Sequence, residues 1–274
     1  MLAAPVARSL GGMTIELHQV DAFADGPFEG NPAAVCFPPA GADDRFLQRV
    51  AAEMNLSETA FLWPEGAAWR LRWMTPTVEV DLCGHATLAS AHVLFERDPL
   101  AHEVHFETRS GRLIARRVGA AIELDFPSTP PAAVEPPPGL FLALGVEGPC
   151  LRSRANDYLV VLDAETAVRS VAPDHRALRE VDARGVMVTA RASTEGFDFV
   201  SRFFAPGSGI DEDPVTGSAH CALGPYWAEV LGRRTLRARQ VSARGGTLEV
   251  EVAGDRVRLR GRAVTVLRGE LLTG

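Results

Sequence analysis

The stretch "VDLCGHATLASAH", residues 80–92, sets Cys83, Gly84 and His85 side by side in front of an alanine-rich run with helical character. Three chemistries fit those residue types. A thiol can act as a nucleophile or base, an imidazole can ligate a metal, and a glycine that opens a helix leaves backbone N–H groups free to grip an anion. A second stretch, "DEDPVTGSAH", repeats the glycine-then-helix pattern at Gly217 and adds Ser218, whose hydroxyl is either a further donor or a plain helix cap. His85 is likewise either a donor to a bound molecule or a structural hydrogen-bonding residue. In "MNLSETAFLWP", Glu58 sits among Leu56, Phe61, Leu62 and Trp63. A desolvated carboxyl there can trade protons near neutral pH, whereas an exposed one is an ordinary surface acid.

Other chemistries are less well supported. No consistent ligand spacing links His85, His92, His102 and His105, so no metal site is expected. The acidic run at 211–213 lacks the spaced oxygens of a calcium loop and ends at Pro214, and its carboxylates would repel a phosphate from "PGSG". Cys36, Cys83, Cys150 and Cys221 are scattered singly, which suits thiols in a reducing compartment, and packing is the commoner role of such residues.

The elements that must position these residues show an internal repeat. "RWMTPTVEVDLCGHATLASAH" (72–92) resembles "RFFAPGSGIDEDPVTGSAHCAL" (202–223), with Arg72, Trp73 and Pro76 answered by Arg202, Phe203 and Pro206. A three-residue insertion in the second copy then brings Gly217 against Gly84. Downstream, 109–125 matches 244–260 without a gap, pairing Gly111 with Gly246, Leu113 with Leu248, Ile122 with Val257 and Leu124 with Leu259. Each copy reads as strand, loop, helix, hairpin. The small residues after Gly84 and Gly217 suit helices enclosed by a curved sheet, although Gly224 and Pro225 weaken the middle of the second.

The expected fold is therefore α+β, two pseudo-symmetric domains, each a curved β-sheet or barrel around a central helix, with the helix openings facing a shared cleft. The proline-rich "PSTPPAAVEPPPG" (127–139) serves as the linker. It divides an N-terminal domain, 13–127, completed by a C-terminal strand at 262–274, from a C-terminal domain, 128–261. Residues 1–12 read as a flexible extension, with Met13 a candidate start. Across all 274 residues, 28 basic against 35 acidic side chains give a net charge of −7, which argues against nucleic-acid or anionic-membrane binding. No window approaches the length of a membrane helix, so a cytoplasmic protein is expected.

Four motifs in order, "VDAFADGPFEGNPAAV", "EMNLSETAFL", "CGHAT" and "DEDPVTGSAH", resemble the phenazine-biosynthesis isomerase family, the PhzF-like proteins, from about Met13 to the C-terminus. The resemblance implies the diaminopimelate-epimerase fold, an active site between two similar domains, homodimers in many members and no cofactor. It implies Glu58 as the catalytic glutamate, with His85, Asp213 and Ser218 as the other polar residues of the site. Asp213 is expected to orient His85 or a substrate group. Asn31, Gly84, Thr216 and Gly217 are expected to face a small carboxylate substrate.

The leading expectation is a cofactor-independent isomerase that moves a proton between carbons, with Glu58 as general acid and base. Two alternatives stand beside it: an amino-acid epimerase using Glu58 plus Cys83, and a non-catalytic binding module with the same cleft. In the related epimerases two opposed cysteines work from both faces. Cys83 stands at the first of those positions, but Thr216 at the second is a very poor base.

Overall fold

The computed structural model describes residues 13–273, so the expected extension at 1–12 lies outside the described residues. Strands dominate, and two long helices, Gly84–Arg97 and Gly217–Leu231, sit inside them. Both helices start at the glycines that the sequence singled out. Helix Gly84–Arg97 buries side chains on nearly every face, from His85 through Phe95, against strands that include Met13–Ala22, Asn31–Phe37 and Ala121–Pro127. Its alanines and Ser90 let those strands approach closely, as a helix with no solvent face requires.

Strand pairing repeats from one half to the other. Asn31–Phe37 runs parallel to Glu58–Glu65, which pairs antiparallel with Ala68–Met74, which runs parallel to Glu103–Thr108. In the second half Asp157–Val161, Gly185–Arg191, Phe199–Ala205 and Thr235–Gln240 follow the same order and directions. Each half closes with a hairpin, Gly111–Val118 with Ala121–Pro127 and Gly246–Ala253 with Arg256–Gly261. The final strands of the two hairpins then pair with each other, antiparallel and in register about Leu124 and Leu259. These two leucines are equivalent in the repeat, so a pseudo-twofold axis passes between them.

The axis also relates two bidentate ion pairs. Arg72 holds Glu79 with bonds of 2.8 and 2.7 Å, and Arg202 holds Glu212 with bonds of 2.7 and 2.8 Å. Both pairs pin the loop that runs into a central helix, and the three-residue insertion falls between Arg202 and Glu212. Strand Ala263–Thr273 returns to pair with Met13–Ala22, next to Asn31–Phe37.

Gly224 and Pro225 are accommodated rather than disruptive. A Cβ on Gly224 would come within 2.5 Å of Val250 Cγ1, so only glycine allows the helix to lie this close to its sheet. Pro225 cannot donate to the carbonyl of Cys221, and the N–H of Thr129, in the proline-rich linker, takes that acceptor at 3.0 Å. All four cysteines are unpaired and buried. No described helix is long and apolar enough to cross a membrane.

Candidate active site

The two central helices meet opening to opening. A Cβ on Gly84 would lie 3.7 Å from Gly217 Cα, so the helix starts face one another across the seam of the halves. Two shorter helices carry side-chain caps: Asp43 accepts from Phe46 N–H, and Asp174 from two N–H groups. Neither central helix has a side-chain cap at its start, with Cys83 and Thr216 in the capping positions. Their first N–H groups and the positive ends of both helix dipoles therefore converge on one spot, which suits a carboxylate.

Glu58 opens its strand beside this seam. Its side chain is only 13% exposed, and Oε2 stands 3.2 Å from His85 Nε2. Both atoms are buried, and the angle between them does not make a hydrogen bond. Nor is the contact an ion pair at neutral pH, because burial holds His85 down at about 3 and keeps the ring neutral. Burial raises Glu58 to about 7, and the nearby charge of Asp213 pushes the same way. The Cys83 thiol stands 3.5 Å from His85 Nδ1 and draws Glu58 slightly back down. Glu58, Cys83 and His85 are close enough together to share one metal ion. Burial and the neighbouring Glu58 raise the Cys83 thiol well above its ordinary range, so it is protonated at neutral pH.

Of the two partners expected for Asp213, His85 or a substrate group, the first is not bonded to it. Asn31 Nδ2 donates to Asp213 Oδ1 at 2.7 Å and Thr216 Oγ1 to Oδ2 at 2.5 Å. Burial raises its pKa to about 6 against those bonds. Asn31 is fully buried, and its amide also donates to the Val215 carbonyl, so it acts on the site through the Asp213 loop. Thr216 has its hydroxyl on Asp213 in the same way. Gln240 had no signal in the sequence, yet it locks this loop from a distant strand. It accepts from Thr216 N–H at 2.9 Å and donates to the Asp213 carbonyl at 2.6 Å.

The strand registers place Gly185 where Glu58 stands in the other half. A Cβ there would run into the Phe203 ring, so a side chain at this position would have to displace that ring. Cys83 is answered by Thr216 and His85 by Ser218. Thr87 and His220 are also equivalent, and each bonds back to the carbonyl before its helix glycine, at 2.6 and 2.8 Å. The backbone is symmetric and the chemistry is not: the carboxyl–imidazole pair exists on one side only. A surface concavity of about 450 Å³ near Trp63 lies elsewhere, and its Arg70, Arg72 and Arg109 are already paired with acids.

The raised Glu58 pKa has a stability consequence. In the unfolded chain this carboxyl ionises near 4.5, and in the folded chain near 7, so between those values only the unfolded state releases the proton. Stability therefore falls as pH rises from about 4.5 to 7, by on the order of 3 kcal/mol for such a shift. Glu58→Gln should accordingly raise the melting temperature at pH 8 and change it much less at pH 4.5. Equal changes at both pH values would show that the carboxyl is not desolvated.

The family model for phenazine biosynthesis-like proteins matches residues 20–269. An uncharacterised isomerase of Halalkalibacterium halodurans is 49% identical over 95% of this chain and 99% of its own length. The crystal structure of a PhzF-family phenazine biosynthesis protein from Enterococcus faecalis gives a TM-score of 0.90 at 43% identity, covering 94% of this chain and 99% of that one. A probable proline racemase from Agrobacterium radiobacter, 14% identical with a TM-score of 0.60, covers 94% of this chain and 92% of its own and shares the fold alone. Fold and relatives together put the chain in the class of isomerases. It belongs to the PhzC-PhzF family of phenazine biosynthesis-like proteins, the family that its four motifs resemble.

Proposed function

We propose that the chain moves a proton between carbons of a small carboxylate-bearing substrate, without a cofactor, with Glu58 as the proton carrier. The observation that carries this reading is the buried Glu58 carboxyl, its free oxygen beside neutral His85 and next to two uncapped helix openings. The substrate carboxylate docks on the helix N–H groups. Glu58 takes a proton from a carbon, the carbanion delocalises onto the carboxylate or a conjugated group, and Glu58 returns the proton to another carbon. His85 stands by as a neutral donor. Asp213 keeps Glu58 protonatable near neutral pH, and Ser218 adds a hydroxyl beside the helix openings.

The epimerase alternative pairs Glu58 with Cys83, whose thiol pKa is held by burial well above its ordinary range, or with a base on the mirrored side. Thr216 has its hydroxyl on Asp213, and Gly185 has no side chain, so both opposed positions lack one. A proton returned to the same face is the outcome this asymmetry favours. The test is incubation with candidate unsaturated carboxylates in D₂O, read by NMR for deuterium entering at carbon. Exchange with inversion at one carbon would support the epimerase, and binding without exchange would support a non-catalytic module. Cys83→Ala should leave turnover within about threefold and move the pH–rate midpoint upward, because it removes the thiol that draws Glu58 down. Loss of activity in this variant would instead make the thiol a base.

A further inference from the structure

The side opposite Glu58 holds a cation. Arg184 immediately precedes Gly185, the position equivalent to Glu58, and its Nη1 donates to Ser218 Oγ at 3.1 Å. Ser218 is the counterpart of His85, so the Glu58–His85 contact on one side faces an Arg184–Ser218 contact on the other. Arg184 Nη2 donates to Asp157 Oδ2 at 2.5 Å, and Asp157 is fully buried where its strand pairs with Gly185. The guanidinium carbon lies 5.4 Å from the centre of the Phe203 ring. Fixed in this way, Arg184 still has N–H donors to offer: Nε is buried without a partner, and the side chain is 39% exposed. Among the described residues it is the one arginine bonded to a residue in the first turn of either central helix.

We propose that Arg184 and Ser218 form a second anion subsite, and that the substrate is a dianion: one carboxylate on the helix openings and a second carboxylate, or comparably acidic oxygen group, on the guanidinium edge. The proposal rests on the reading of the site given under Proposed function. A second negative group entering beside Glu58 and Asp213 would be repelled without a local cation. Arg184 supplies that charge in a planar fork that matches a carboxylate. Because Ser218 Oγ accepts from Arg184, the hydroxyl hydrogen is left to point at the ligand.

The probes are propionate and succinate, titrated calorimetrically into the intact protein. Wild type should bind succinate at least about tenfold more tightly than propionate. Arg184→Gln combined with Asp157→Asn removes the cation without stranding a buried carboxylate, and it should erase the preference by weakening succinate at least about tenfold more than propionate. Arg184→Lys keeps the charge but loses the fork, and should reduce the preference by at least about threefold. This single variant decides the matter if the double variant does not fold. Equal binding of the two probes by wild type, or a preference that survives both variants, overturns the subsite. Glu58→Gln should keep the preference for succinate. If the preference is missing while solvent exchange still depends on Glu58, the subsite falls and the proton-transfer reading stands.

Discussion

Glu58→Gln is expected to lower turnover and solvent exchange by at least about 10²-fold while substrate affinity stays within a few-fold of wild type. Glutamine keeps the shape and the hydrogen-bonding capacity of the side chain, and it removes only the ability to carry a proton. The carboxyl is held near 7 by burial and by Asp213, so kcat/KM of the wild type should rise through about pH 7 as the base form appears. In the glutamine variant that titration should vanish from the residual rate. Near-normal turnover in Glu58→Gln would end the glutamate mechanism, whatever else the site binds.

Gly30→Ala is expected to cost roughly 3 kcal/mol or more, from a left-handed backbone combined with overpacking. Gly30 has φ +66°, and an added Cβ would collide with the Ala22 carbonyl and come within 2.9 Å of Ala24 Cβ. The strain would fall where the halves are joined. Gly30 N–H donates to the Gly245 carbonyl at 2.6 Å, and Arg244 donates to the Gly30 carbonyl at 2.9 Å. Asn31, which positions Asp213, is the next residue, so the change should reach the site as well. For a chain of this length the melting temperature should drop by roughly 5–10 °C, measurable by calorimetry or circular dichroism. An unchanged melting temperature would show that the loop tolerates other conformations.

The sequence was most informative where local and global requirements coincide. Gly84 and Gly217 announce helix starts through the small residues behind them, and the hairpin pairs around Leu124 and Leu259 share turn positions, so the repeat shows through weak identity. The repeat in fact extends further, to strands such as Glu58–Glu65 and Gly185–Arg191, where side-chain similarity is gone and only the ladder order survives. What could not be read is long-range bonding. Asn31 and Asp213 lie 182 positions apart, and nothing in either motif says that they bond each other rather than a substrate and His85. Gln240 and Arg184 belong to no motif, and only folding brings them to the helix openings. Gly224 and Pro225 argue locally for a weak middle of the second helix, since glycine and proline are poor helix formers. Val250 and the Thr129 N–H make both residues fit.

The return of strand Ala263–Thr273 to Met13–Ala22 bears on how the protein is made. On the ribosome, the closing strand emerges about 240 residues after its partner, a delay of roughly 10–50 s at ordinary elongation speeds. During that interval strand Met13–Ala22 presents an open edge, and unpaired edges invite mispairing with other chains. The second half carries its own contiguous strands, from Cys150–Arg152 to Arg256–Gly261, and can assemble as soon as it is synthesised. The half that contains Glu58 therefore starts before the second half in translation and closes after it, so truncations or slow codons within residues 263–273 should act on the amino-terminal half rather than on the region where they fall.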